Sequence, residues 1–172
     1  MSGYANIHKR GKTMKSIVVY FAREHKIDIS RTERLALKIQ ELTGSDIFKL
    51  VPKDPYPFEM EICEVRAKEE MQTNAIVEIE GELPDMSQYD VVYIGYPNWY
   101  RSFPRIIGTF LDNVDVSGKI IKPFVTHLEG GSGISELELK GRAKGATIKG
   151  VFTCQADDVD WCDERLKVWI SK

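Results

Sequence analysis

The sequence predicts an α/β three-layer sandwich, a parallel β-sheet with helices on both faces. Apolar strand-like runs and amphipathic helical stripes alternate five times from residue 15 onward. The central runs "SIVVYF" and "VVYIGY" are apolar nearly throughout, as strands covered on both faces must be. No repeat, low-complexity tract or linker interrupts them, and such alternation implies right-handed crossovers. At 172 residues the chain is long enough to bury such a sheet as one domain.

Taken in order, Ser16 to Phe21 form the first strand. A helix over Arg31 to Leu42 opens with Ser30 and Glu33 at capping-box spacing, carries Leu35, Ile39 and Leu42 on one face, and stops at Gly44. "DIFKLV" (46–51) alternates like a strand nearer the sheet edge, and "PKDPYP" then breaks the chain. Met60, Cys63, Ala67 and Met71 line one face of a second helix. "VVYIGY" (91–96) is the third strand, and Phe103, Ile107, Phe110 and Leu111 mark the helix after it. "KIIKPFVT" (119–126) is the fourth strand, where Pro123 suggests a bulge or a strand end because it cannot donate a ladder bond. Ser135 and Glu138 repeat the S-x-x-E start before a short helix that Gly141 ends. "ATIKGVFT" (146–153) is the fifth strand, and Val159, Cys162, Leu166 and Trp169 form the last helical stripe.

Composition narrows the function classes. Hydrophobic content of 42%, charged content of 29% and a net charge of −2 argue against disorder and against nucleic-acid binding by bulk charge. No apolar run approaches the roughly 18 residues of a membrane helix. Three cysteines at unrelated spacings, with no CxxC pair, argue against a disulfide scaffold or a zinc site and fit a reducing cytoplasm. All three fit apolar core faces better than a redox pair. Residues 1–14 lack apolar periodicity and the apolar centre of a secretory signal; they read as a leader before a domain over 15–172, with Met14 a plausible start. The "GKT" at 11–13 precedes the first strand and lacks the upstream glycine, so it is no phosphate loop.

In parallel sheets of this kind ligands sit beyond the carboxyl ends of the strands, at the switch point. For a five-stranded order 2-1-3-4-5 that point lies between strands 1 and 3, which singles out three loops. Ala22 to Arg31 contains no glycine, but Ser30, Arg31, Thr32 and the first-turn N–H groups could hold a phosphate, with Arg31 as a clamp. Ser30 is equally a good N-cap. "YPNWYRSFP" (96–104) offers Trp99 and Tyr100 for stacking on a planar ring, or as a plug against the sheet. "THLEGGSG" (126–133) has three glycines in four residues, a loop whose N–H groups can approach a flat polar edge, or a plain turn. His127 has no nucleophile or carboxylate arranged beside it in sequence, which favours hydrogen bonding or packing over catalysis.

These loops, in this order, resemble the flavodoxin-like family of small FMN proteins. The matching stretches are "VVYFAR" with "SRTERLA", "GYPNWY" and "KPFVTHLEGGSG", supported by "DPYP" and "SGKIIKPF", and they run from about Lys15 to Lys172. The resemblance implies the sheet order 2-1-3-4-5, FMN as cofactor, and a site made of Ala22, Arg23, Ser30, Arg31, Thr32, Pro97, Asn98, Trp99, Tyr100, Thr126, His127, Gly130, Gly131, Ser132 and Gly133. The phosphate would sit on Arg23, Ser30, Arg31 and Thr32, and the isoalloxazine ring against Trp99 and Tyr100. The chain departs from the family pattern in four places. Ala22 replaces a hydroxyl residue, Ser30-Arg31-Thr32 replaces Gly-Asn-Thr, Tyr100-Arg101 replaces Trp-Gly, and Leu128-Glu129 is extra.

The implied function is electron transfer or a small flavin-dependent oxidoreductase, with a redox partner protein or a small-molecule acceptor, as a monomer or homodimer. Whether the chain is a carrier or an NAD(P)H-dependent enzyme stays open. The alternative is a binding module that kept the fold and lost FMN. A phospho-acceptor receiver would need acidic residues where "FAREH" and "YPNW" stand, and no G-x-S-x-G elbow follows any strand.

Overall fold

The computed structural model describes residues 13–26 and 28–172. Most of the expected leader, with Gly11 and Lys12 of "GKT", therefore lies outside the described residues. Among the described residues six strands are present: β1 (Ser16–Tyr20), β2 (Asp46–Lys49), β3 (Val91–Pro97), β4 (Ile120–His127), β5 (Thr147–Ile148) and β6 (Phe152–Gln155). The helices are α1 (Arg31–Thr43), α2 (Met60–Thr73), α3 (Arg105–Asp112), α4 (Ser135–Arg142) and α5 (Asp163–Ile170). Every strand pairing is parallel and the order is β2-β1-β3-β4-β5, with β6 also on β4. This is the expected 2-1-3-4-5 sheet.

Strand alternation divides the core into two layers. Ile17, Val19 and Phe21 point to one face, where α2, α3 and α4 supply Cys63, Ile106, Ile107, Phe110 and Leu139. Val18, Tyr20 and Ala22 point to the other, against Leu35, Ala36 and Ile39 of α1 and Leu166 and Trp169 of α5. Helix α3 is buried from Arg105 to Leu111, and even its polar Arg105 and Thr109 are enclosed. Helix α2 is mostly exposed: Cys63 and Ala67 are buried as expected, but Met60 stands 55% exposed and Met71 is half-buried. Among the described residues, no helix is long and apolar enough to cross a membrane.

The fifth strand differs from expectation. It is split into β5 and β6 by residues 149–151, and β4 runs straight through Pro123 with neither bulge nor end. The two facts have one cause. Ile120 donates its N–H to Asp90 on the β3 side, and the Ile121 carbonyl accepts from Lys149 on the opposite side. Alternation then turns the Pro123 nitrogen away from β3, toward the break between Ile148 and Phe152. A residue without an N–H stands where no partner strand requires one. The gap is filled by side chains: Trp169 Nε1 donates to the Gly150 carbonyl at 2.6 Å. Buried Lys122 donates to the Ile170 carbonyl at 2.7 Å, and desolvation lowers its pKa.

Helix ends also follow tertiary partners. Ser30 caps α1 by accepting from the Glu33 N–H at 3.1 Å, and Gly44 ends it at φ 66°. Glu33 does not close the capping box, because Tyr20 (2.8 Å) and Lys49 (3.2 Å) hold its carboxylate. Ser135 is no cap either. It is the first residue of α4, accepting from the Tyr96 hydroxyl (3.0 Å) and donating to the Ser132 carbonyl (2.7 Å). Gly141 does not stop α4, which continues to Arg142, where the guanidinium binds Asp112. Val159 and Cys162 of the last stripe are buried but precede α5.

Gly95 on β3 lies directly beneath the Phe124 ring, and an added Cβ would fall 2.0 Å from that ring's Cζ. We therefore expect Gly95→Ala to lower unfolding free energy by about 1–3 kcal/mol or more, read as a shift in urea midpoint at unchanged slope.

Candidate functional site

The loops leaving β1, β3 and β4 meet at one edge of the sheet and enclose two adjoining cavities. One, of about 460 Å³, lies between the aromatic loop, the end of β4 and helix α2. The other, of about 630 Å³, lies at the start of α1. Arg23, His25, Ser30, Arg31 and Ala156 line both, so the two form one continuous trough. Volumes of this size suit a cofactor-sized ligand.

The α1 end is charged in both signs, with Arg23, Lys26, Arg31 and Arg34 set among Glu24, Asp28, Glu59, Asp157 and Asp160. Arg31 opens the helix, and Arg23 is held toward the trough by the Pro57 (3.1 Å) and Phe58 (3.2 Å) carbonyls. Burial, then the charges of Arg23 and Arg31, hold His25 below its ordinary pKa, so it resists adding a third charge. Asp157 and Asp160 line the same cavity, but Arg31 (3.3 Å) and Arg34 (2.5 Å) engage them. Thr32 and Thr126, both buried, share a hydroxyl–hydroxyl hydrogen bond of 2.6 Å that ties the start of α1 to the end of β4.

The aromatic loop is a tight turn. Trp99 and Ser102 exchange backbone hydrogen bonds of 2.9 and 3.0 Å, and the two residues between them take positive φ, 50° at Tyr100 and 66° at Arg101. Trp99 is packed edge-to-face on Phe21 and Tyr56, with centroids at 5.4 and 5.0 Å. It thus plugs the sheet end with one part of its ring while lining the cavity with another. Tyr100 reaches across to α2, its hydroxyl donating to the Glu64 carbonyl at 2.9 Å.

Beneath the turn lies a network that sequence reasoning missed. Buried Arg105 donates to Ser102 Oγ (3.0 Å) and to Glu138 (2.8 Å), and Ser102 Oγ donates to the same carboxylate at 2.5 Å. Burial alone would raise the Glu138 carboxyl, but hydrogen bonds from Ser102 and Arg105 bring its pKa below the ordinary value. An arginine at the head of the otherwise apolar "RIIGTFL" was the available signal.

The glycine loop packs on the aromatic turn. Gly130, Gly131 and Gly133 have φ of 82°, 58° and 56°. Asn98 donates to the Gly131 carbonyl at 2.7 Å, and Ile134 N–H to the Arg101 carbonyl at 2.7 Å. A Cβ on Gly133 would fall 2.0 Å from the Arg101 carbonyl oxygen. His127 and Leu128, ahead of the glycines, line the smaller cavity instead, and the buried Nδ1 of His127 has no hydrogen-bond partner.

Of the expected site residues, Arg23, Ser30, Arg31, Thr32, Pro97, Asn98, Trp99, Tyr100, Thr126 and His127 converge on the smaller cavity. Ala22, Gly130, Gly131, Ser132 and Gly133 line neither cavity; Ala22 is buried in the core layer against α1. The structure adds Met60, Cys63, Glu64 and Ala67 from α2, with His25, Leu128 and Ala156. Among the described residues, no group of three or more His, Cys, Asp or Glu could hold a metal ion.

The sequence pattern of the flavodoxin family matches residues 15–171. The chain is a flavodoxin-family protein. The chain is similar to a candidate flavoprotein of Bacteroides uniformis, at 26% identity and TM-score 0.79, over 94% of this chain and 100% of the other. A candidate flavoprotein of Bacteroides eggerthii is 28% identical, with TM-score 0.73 over 88% and 98% of the chains. A flavoprotein of Lactobacillus acidophilus in complex with FMN shares the fold at 22% identity and TM-score 0.69, over 86% and 97%. No curated protein matches this flavodoxin.

At Arg101 a side chain occupies a left-handed position, a conformation that favours glycine. Arg101→Gly should therefore raise stability by about 0.5–1 kcal/mol, seen as a higher melting temperature. An unchanged or lower melting temperature would show that the turn carries no strain there.

Proposed function

We propose that this flavodoxin binds FMN and acts in electron transfer as a small flavin-dependent oxidoreductase. The observation that carries this reading is the trough itself. An aromatic, mostly apolar cavity runs without a break to the start of α1, where Arg23, Arg31 and the helix N-terminus stand, matching a flat ring at one end and a phosphate at the other.

In this reading Arg23, Arg31, Ser30 and the first-turn N–H groups of α1 hold the phosphate, where helix dipole and guanidinium charge act together. Trp99 and Tyr100 flank the ring, while Thr126 and His127 bond its polar edge. Bound FMN would supply one- or two-electron redox chemistry; the protein supplies binding, orientation and exclusion of water. Arg31 replaces by charge what glycine provides to relatives by close backbone approach.

Two observations favour a small-molecule acceptor over a basic protein partner. Within the acidic segment at 157–163, Asp160 and Asp163 are neutralised by Arg34 and Lys38 of α1. The mouth of the smaller cavity is apolar, with Met60, Tyr100 and Leu128 exposed by 55%, 46% and 71%. A flat, weakly polar electron acceptor suits such a mouth.

The first test is a fluorescence titration of the purified protein with FMN and with riboflavin. We expect one-to-one quenching by FMN, and reductive titration of the complex should proceed without a protein partner. Arg31→Ala should raise the FMN dissociation constant roughly tenfold, about 1.4 kcal/mol, and leave riboflavin within about twofold. Absence of FMN binding at millimolar concentration would remove this reading and leave the flavin-free binding module in its place.

A further inference from the structure

A bound FMN would account for only one end of the larger cavity. Arg23, Ser30 and Arg31 line both cavities, so a phosphate held by them stands at the junction. A phosphate fills the room of only a few waters, at about 30 Å³ each in the liquid. The larger cavity measures about 630 Å³, and most of it therefore lies beyond that phosphate. Its walls do not suit a bare phosphate either. They carry carboxylates, which repel an anion, and the exposed apolar side chains of Ile29 and Phe58.

We propose that the larger cavity receives the adenylate half of a dinucleotide flavin, so that the chain binds FAD more tightly than FMN. The inference rests on the FMN reading for the positions of the ring and the first phosphate. The adenylate half continues from that phosphate as a second phosphate, a ribose and a flat base, and the cavity offers a different chemistry for each.

Lys26 is the cation for the second phosphate. It lines the larger cavity and not the smaller one. The carboxylates suit the ribose, because an ionised carboxylate only accepts hydrogen bonds and the sugar hydroxyls donate them. Asp157 and Asp160 are already engaged by Arg31 and Arg34, which leaves Glu24, Asp28 and Glu59 of those on the wall. Glu59 stands at the N-cap of α2, yet its side chain makes no capping hydrogen bond there. Phe58 supplies an aromatic surface for the base. It is 47% exposed, and the Lys26 ammonium lies 5.0 Å from its ring centroid, so stacking surface and phosphate-binding cation are neighbours. The mixed charge of this wall thus matches a nucleotide better than it matches a lone anion.

The test is calorimetric titration of the native protein and of Phe58→Ala with FMN and with FAD, and of the FMN-loaded protein with AMP. The native protein should bind one FAD at least about tenfold more tightly than FMN, the worth of one stacked base. Phe58→Ala should weaken FAD about tenfold and leave FMN within about twofold, and its retained FMN binding shows that the variant is folded. Equal affinities for the two flavins, or equal losses of both in Phe58→Ala, would overturn the proposal and leave the FMN reading standing. So would AMP binding to the FMN-loaded protein with no gain for FAD, which would assign the cavity to a separate nucleotide. Failure of both flavins to bind would remove the proposal and the FMN reading together.

Discussion

Parallel strands cannot be joined by tight turns, and the rest of this structure depends on that constraint. Each strand must return through a helix, so β1, β3 and β4 all release their chains at the same edge of the sheet. Loops far apart in sequence therefore meet there. The Thr32–Thr126 hydroxyl pair, 94 residues apart in sequence, bridges two of these exits inside the protein. Below it, strands buried on both faces leave little freedom to shift register, because a one-residue slip would exchange the two core layers.

The aromatic turn and the glycine loop show how a site wall can be built from strain and compensation. Two consecutive side-chain-bearing residues in the left-handed region are held by backbone bonds at both ends of the turn and by Arg105 and Glu138 beneath it. The glycine loop contributes its bare backbone at Gly133, where Arg101 leaves no room for a Cβ. The glycines thus shape the wall from behind, and side chains of the neighbouring segments form its inner surface.

Much of this was legible in the sequence, because period and burial leave a local record. Continuous apolar runs marked β1 and β3, and Ser30 and Gly44 marked the ends of α1. Side-chain partnership leaves no such record. Glu33 and Glu138 sit at capping-box spacing, yet Tyr20 with Lys49 and Arg105 with Ser102 bind them more effectively than a helix end would. Pro123 looked like an interruption because its missing N–H matters only if a neighbour needs it, and the sheet has a gap there. The α2 contribution to the site was hidden for a related reason. Its apolar stripe reads as core, although Met60 ends that stripe in the open at the cavity mouth.

The divided fifth position of the sheet has a consequence for life at high concentration. A long exposed edge strand presents a row of unpaired N–H and C=O groups on which another chain can extend the sheet. Here that border offers two residues, a break, and then four, with Lys149 and Gly150 in the interruption. A foreign strand would find no unbroken row to pair with. The same irregularity that accommodates Pro123 thereby guards the flank of the molecule against edge-to-edge aggregation.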